Sequence, residues 1–282
     1  MGEERRLFPD LLGDLASLPI QDIEQALVEI ASGTCSFGPM EEWNSWYHYL
    51  LVQTLPRAHE ASLNSLLESL ITGFIAIYPN GVYSAPYKTF REDILLTLGR
   101  CMMDESCWAG NEIAVGRMLH RSNNNPAAVW CWWDASGDFS SSMFLCLKYL
   151  PESLVGYWLR SVLAINSPHW RAQVLVWLVG AQEILAGNVR WPSEFKIGAR
   201  PSVSWEWSHC LRSELAAKDV SGAGVALTFL NERVRQEVLD LVHLHFTENV
   251  YLEWLNSISS ISYLHEELAE IPTTFETLYV RR

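Results

Sequence analysis

The stretch Val129–Phe139, VWCWWDASGDF, sets three tryptophans, a cysteine and two aspartates within eleven positions. Aromatic faces beside a carboxylate can grip a cation or a sugar, so this is the first place to look for chemistry. Asn125 and Pro126 predict a short helix from Pro126 to about Trp133, followed by a turn at Gly137. On that helix Trp130 and Trp133 share a face and Trp132 is left on another. Asp134 would then meet the negative end of the helix dipole, at a cost of about 0.3–1 kcal/mol. An acid so placed beside a free tryptophan suits an arginine from a partner. A solvated turn carboxylate has the same sequence, and Asp138 or Ser140 reads more simply as the cap of the next helix.

Other candidate chemistry is thinner. Glu206-x-x-His209 and Asp240-x-x-His243 each put an acid and a histidine on one helical face, the spacing of di-iron bundles. With 8 histidines and 33 acids in 282 residues, chance alone supplies about one such pair. His243 and His245 point about 200° apart on a helix and cannot share a metal. His245 instead continues the stripe Val234, Val238, Leu241, Val242 and reads as a core histidine. A zinc site from Cys101, Cys107, His120 and Cys131 has none of the short C-x2-4-C knuckles such sites use. No G-x-S-x-G elbow, phosphate loop or H-E-x-x-H occurs, and Gly222 and Gly224 lack the third glycine and preceding strand of a dinucleotide site. No cofactor or metal is expected.

The elements that must position these residues are helices almost throughout. Pro39 opens a segment in which Trp43, Trp46, Tyr47 and Leu50 form one buried stripe. Pro56 is read as the start of a second, with Leu63, Leu66, Leu67, Leu70 and Phe74 inward. Thr89–Glu92, TFRE, is a capping box that starts a helix near Phe90. Pro151–Ile165 should bury Leu154, Trp158, Leu159 and Val162. Ser167 and Pro168 start the next helix, which Gly187 ends, the two making an antiparallel hairpin. Helix pairs spanning about 39–78, 87–120, 126–148, 151–187 and 205–246, and a last helix near 248–270, predict an all-α fold. The expected architecture is an α-solenoid of irregular helix hairpins, similar in layout to HEAT and armadillo repeats though no residue motif recurs from pair to pair. An α/α toroid is the alternative. The expected domain is one elongated unit, 1–282, with a soft boundary in the loop 188–204.

Composition narrows the classes. Apolar residues make up 49% of the chain and charged ones 19%, the balance of a folded protein. No secretory leader and no run of roughly 20 apolar residues is evident, so a cytoplasmic protein without a membrane span is expected. The six cysteines are scattered through apolar segments and read as reduced core thiols. Of the net charge of −13, −10 lies in residues 1–141, which hold 8 basic against 18 acidic side chains. Nucleic acid, which demands clustered basic residues, is thereby disfavoured as a partner.

Two connections carry turn or loop chemistry. Pro79–Tyr87 holds an Asn-Gly turn among three tyrosines, and Asn188–His209 is long and holds Trp191, Trp205 and Trp207. The expected function is a non-enzymatic helical interaction protein that binds a basic protein partner, in the manner of an immunity or antitoxin-type inhibitor. Its contact residues are Trp132, Asp134, Trp191, Trp205 and Trp207, flanked by Glu41 and Glu42. On that reading, alanine at Trp205 and Trp207 weakens partner binding and spares the fold. The alternative is a toroid enzyme whose tryptophans stack on a carbohydrate or hold a small cation. Oligomeric state has no signature in the sequence.

Overall fold

The computed structural model describes residues 8–36, 40–58, 66–83, 85–103, 120–121, 130–196, 203, 205–218, 227–260 and 268–280. The fold is all-α. Its helices are α1 (Ile20–Ser36), α2 (Met40–Ala58), α3 (Leu66–Ile77), α4 (Phe90–Thr97), α5 (Arg100–Met103), α6 (Trp132–Tyr149) and α7 (Glu152–Leu163). They continue as α8 (Pro168–Gly180), α9 (Gln182–Ala186), α10 (Ser213–Lys218), α11 (Glu232–His245), α12 (Glu248–Ile258) and α13 (Ile271–Tyr279). The extended pairing is minimal, a two-residue antiparallel ladder of His120–Arg121 with Trp130–Cys131.

Two helices are central, buried along most of their described length with their polar side chains included. α3, LLESLITGFIAI, is buried at every position, and α6 is buried from Phe139 to Leu147. α3 packs on α1 and α2 on one side and on α6 on another. Gly73 permits the close approach of α2, since a Cβ there would come within 3.0 Å of the Tyr47 ring. The polar groups of α3 are put to use: Tyr47 donates its hydroxyl proton to Leu70 O at 2.8 Å, and Thr72 bonds back to Glu68 O. The stripe Trp43, Trp46, Tyr47 and Leu50 is fully buried as its spacing predicts.

Several expected boundaries move. α2 runs on past Pro56, which therefore starts no new helix. α4 begins at Phe90, but the Thr89 side chain makes no cap bond; its hydroxyl donates to Asp93 Oδ2 at 3.2 Å, so the capping box does not form. α8 begins at Pro168 without a side-chain bond from Ser167, and the helix breaks at Ala181 before Gly187, at φ +82°, ends α9. Leu154 is 47% exposed and Val155 takes its inward place. α7 and α8 do not form the expected hairpin core: α7 packs chiefly on α11, and α8 on α12 and α13. The extended residues Ile165–Ser167 redirect the chain between them. α13 was not foreseen.

The largest correction concerns the opening stretch. Trp130 and Cys131 are extended rather than helical, and α6 starts at Trp132 and runs through Gly137 without a turn. Burial of Phe139–Leu147 outweighs the local cost of glycine and serine in a helix. Asp134 thus lies in the first turn of a helix, and the dipole argument that singled it out no longer applies. The side chains of Trp132, Asp134 and Asp138 lie outside the described residues.

The halves of the chain are tied through α3. Trp207 N donates to Glu68 Oε1 at 3.0 Å, and Asn80 Nδ2 to Ala216 O at 2.8 Å. α1 also packs on residues 206–210 and on α10. Of the cysteines, Cys146 and Cys210 are described, and both are buried; the remaining four side chains are not described. Among the described residues no helix is long and apolar enough to cross a membrane.

Candidate functional site

Two of the tryptophans expected to face a partner turn inward. Trp191 is 1% and Trp205 3% exposed. The Trp205 indole donates to Thr72 Oγ1 at 2.9 Å and stacks on Phe144, centroids 5.4 Å apart and planes 22° apart. Phe229 meets both indoles edge-on, at 5.9 Å from Trp191 and 6.3 Å from Trp205. Rings so enclosed have no free face for a sugar or an arginine, which withdraws Trp191 and Trp205 as contact residues. Trp207 is half-buried and leans on His209, with centroids 5.9 Å apart. Glu41 is exposed and Glu42 half-buried at the start of α2. Among the described candidates, Trp191 and Trp205 therefore lie in the core, while Trp207 and the two glutamates reach the surface.

The acid–histidine pairs also disperse. His209 Nδ1 donates to the backbone oxygen of Glu206 at 3.0 Å, and His243 Nδ1 to Tyr279 O at 3.2 Å. His245 is half-buried with its edge against Phe246 and Trp254, but its Nε2 has no hydrogen-bond partner. Among the described residues no group of three metal-ligating side chains converges.

A different site stands above the aromatic cluster. A cleft of about 540 Å³ opens between the 79–83 turn, the start of α4, the C-terminal end of α6, the start of α7 and residues 227–234. Four charged side chains line it: Arg91, Lys148, Glu152 and Glu232. Gly81, at φ +122°, makes the lip; a Cβ there would strike the Tyr83 ring at 2.7 Å. Two large apolar side chains stand out at the rim, Tyr83 at 64% and Leu227 at 81% exposure.

Lys148 reaches the cleft from the last turn of α6, where the helix dipole favours a cation. Its Nζ donates to Phe229 O at 2.8 Å and lies 4.6 Å from the Phe229 centroid, 5.7 Å from Trp191 and 5.9 Å from Tyr149. Phe229 N in turn donates to Arg190 O at 2.8 Å, so the 227–230 segment is pinned from both sides. Among the described residues no carboxylate pairs with Lys148. Glu152 is engaged elsewhere, accepting from Asn231 Nδ2 at 2.8 Å and facing Arg233 Nη1 at 3.7 Å. Burial among rings, with one carbonyl in place of a counter-ion, pushes the Lys148 ammonium down to about 7. Arg91 binds Glu92 Oε1 at 2.7 Å through Nη2, while its buried Nε has no partner.

Sequence reasoning passed over this site. The signal was present: Lys148 is the one charge in MFLCLKYL, Met143–Leu150, and one of only four lysines in the chain. No family model, curated protein or solved structure matches the chain.

Proposed function

We propose that the chain binds a small organic anion in the cleft, with its negative group at Lys148 and Arg91 and its apolar body between Tyr83 and Leu227. The observation that carries this reading is a lysine amine with no described carboxylate partner inside a 540 Å³ cleft, a volume within the range of small-molecule sites. Leaving a cation so placed is costly, and a bound anion supplies the missing charge. The exposed Arg91–Glu92 pair contributes little to stability, so Arg91 can turn to a ligand at small cost. Benzoate and phenyl phosphate should raise the melting temperature more than acetate or inorganic phosphate, and Lys148→Met should abolish the rise. Equal effects of all four anions on wild type and variant would remove the reading.

The expected basic protein partner stays as a second reading, supported by one feature of the N-terminal layer. Residues 8–56 hold seven Asp or Glu and no Lys or Arg, and Asp22, Glu29 and Glu41 are exposed on α1 and α2. Such a face would steer a cationic partner, immunity or antitoxin fashion, and be weakened by salt. It rests on charge, since Trp191 and Trp205 are withdrawn. Reversing Asp22, Glu29 and Glu41 to lysine should release a partner captured at low salt; retention would reject the face. For the architecture, the contact of α1 with residues 206–210 and α10 favours a chain that closes on itself, as in the toroid alternative, over an open solenoid.

A further inference from the structure

We infer that Lys148 is an amine nucleophile that forms an imine with an aldehyde or keto group on an anionic ligand of the cleft, 2-oxo acids being the simplest class. The inference rests on the binding reading above and adds a covalent bond to it, with the ligand's carboxylate held by Arg91 and its carbonyl carbon, rather than its negative group, at Lys148. An imine-forming lysine needs an unprotonated amine, freedom from carboxylates that would hold its proton, shelter, and an anchor for the rest of the substrate. Lys148 has no described ion-pair partner, and its one hydrogen bond runs to Phe229 O at 2.8 Å. In the neutral amine that bond leaves a second N–H and the lone pair uncommitted. Burial strips water from the nitrogen and so disfavours the ammonium form, in keeping with a pKa lowered to about 7, even with the rings of Phe229, Trp191 and Tyr149 at 4.6–5.9 Å. Arg91 lines the same cleft, and its guanidinium suits a carboxylate.

In the reaction the Lys148 lone pair forms a C–N bond to the carbonyl carbon while the π pair moves to oxygen. A proton passes from nitrogen to that oxygen, giving the carbinolamine. The nitrogen pair then expels the hydroxyl group, which leaves as water on taking up a proton, and a C=N bond remains. One water is released and nothing is oxidised or reduced. The ionisable groups sharing the cleft with the amine are Arg91 on α4, Tyr149 on α6, Glu152 on α7, Glu232 on α11 and Tyr83 in the turn. Glu152 is engaged by Asn231 and Arg233, which leaves Glu232 as the proton carrier of the cleft.

The chain is suited to a site-resolved test because its four lysines, Lys88, Lys148, Lys196 and Lys218, are well separated in sequence. The full-length protein is treated with glyoxylate and cyanoborohydride, which reduces any imine to carboxymethyl-lysine, and digested for peptide mapping. At neutral pH, Lys148 should be modified about ten-fold faster than the exposed Lys88 and Lys196, and benzoate should suppress this. Arg91→Gln should slow the reaction of Lys148 with glyoxylate more than its reaction with uncharged propionaldehyde, since only the former carries a carboxylate for Arg91 to hold. Modification of Lys148 no faster than that of Lys88 overturns the inference. If benzoate still stabilises the protein through Lys148, imine formation alone falls; if it does not, the binding reading falls too.

Discussion

The loop that carries Trp191 and Trp205 and the cleft that carries Lys148 share the same rings and differ in what those rings enclose. Beneath, the Trp205 indole N–H has an acceptor in Thr72, and Phe144 and Phe229 close the remaining faces. Above, the ring of Phe229 and one face of Trp191 surround an ammonium whose described contacts include no anion. Large aromatic side chains with their polar handle paired build a core; the same side chains around an unmatched charge leave a place for a ligand. Tryptophan content alone therefore located the cluster but not the site.

The sharpest way to break this contrast is Trp205→Ala. Removing an enclosed indole should cost about 3–5 kcal/mol and lower the melting temperature steeply, whereas a surface contact residue would leave the fold as it was. Lys148→Met should do the reverse. Its stability at pH 7 should equal or exceed that of wild type, because a desolvated charge is exchanged for an apolar side chain, while the response to benzoate is lost. Thermal melts with and without benzoate read both effects.

A third prediction concerns pH. The folded-state pKa of Lys148 lies near 7, below that of the unfolded chain, so between the two values the unfolded chain holds the extra proton. Stability from this group therefore rises with pH above 7, and its cost is fully present below that value. Wild type should gain on Lys148→Met by about 1 kcal/mol per pH unit from pH 7 towards 10, measured by denaturant unfolding of both proteins. Parallel profiles would show that the amine is not desolvated. Gly81→Ala should have the smallest effect, about 1 kcal/mol from forcing a positive φ on a residue with a Cβ, together with a weaker hold on benzoate as the Tyr83 lip shifts.

Much of the fold could be read locally. Proline and glycine punctuation placed the starts of α2 and α8 and the end of α9, because these are properties of the backbone at one position. What could not be read depends on partners far away. Trp205 finds Thr72 across 133 positions, and Lys148 finds Phe229 across 81, so no window around either residue reveals whether its polar atom is matched. α6 shows the same limit. Its Ala-Ser-Gly sequence after Asp134 suits a turn, yet the burial of Phe139–Leu147 carries one helix through it.

On the proposed reading, the cleft at Lys148, and not the tryptophan loop, takes the ligand. Calorimetric titration of benzoate into wild type, Lys148→Met and Trp207→Phe tests it most directly. Saturable binding by wild type and Trp207→Phe, and its loss in Lys148→Met, is the predicted result. Binding that survives in Lys148→Met, or that disappears in Trp207→Phe instead, would contradict it.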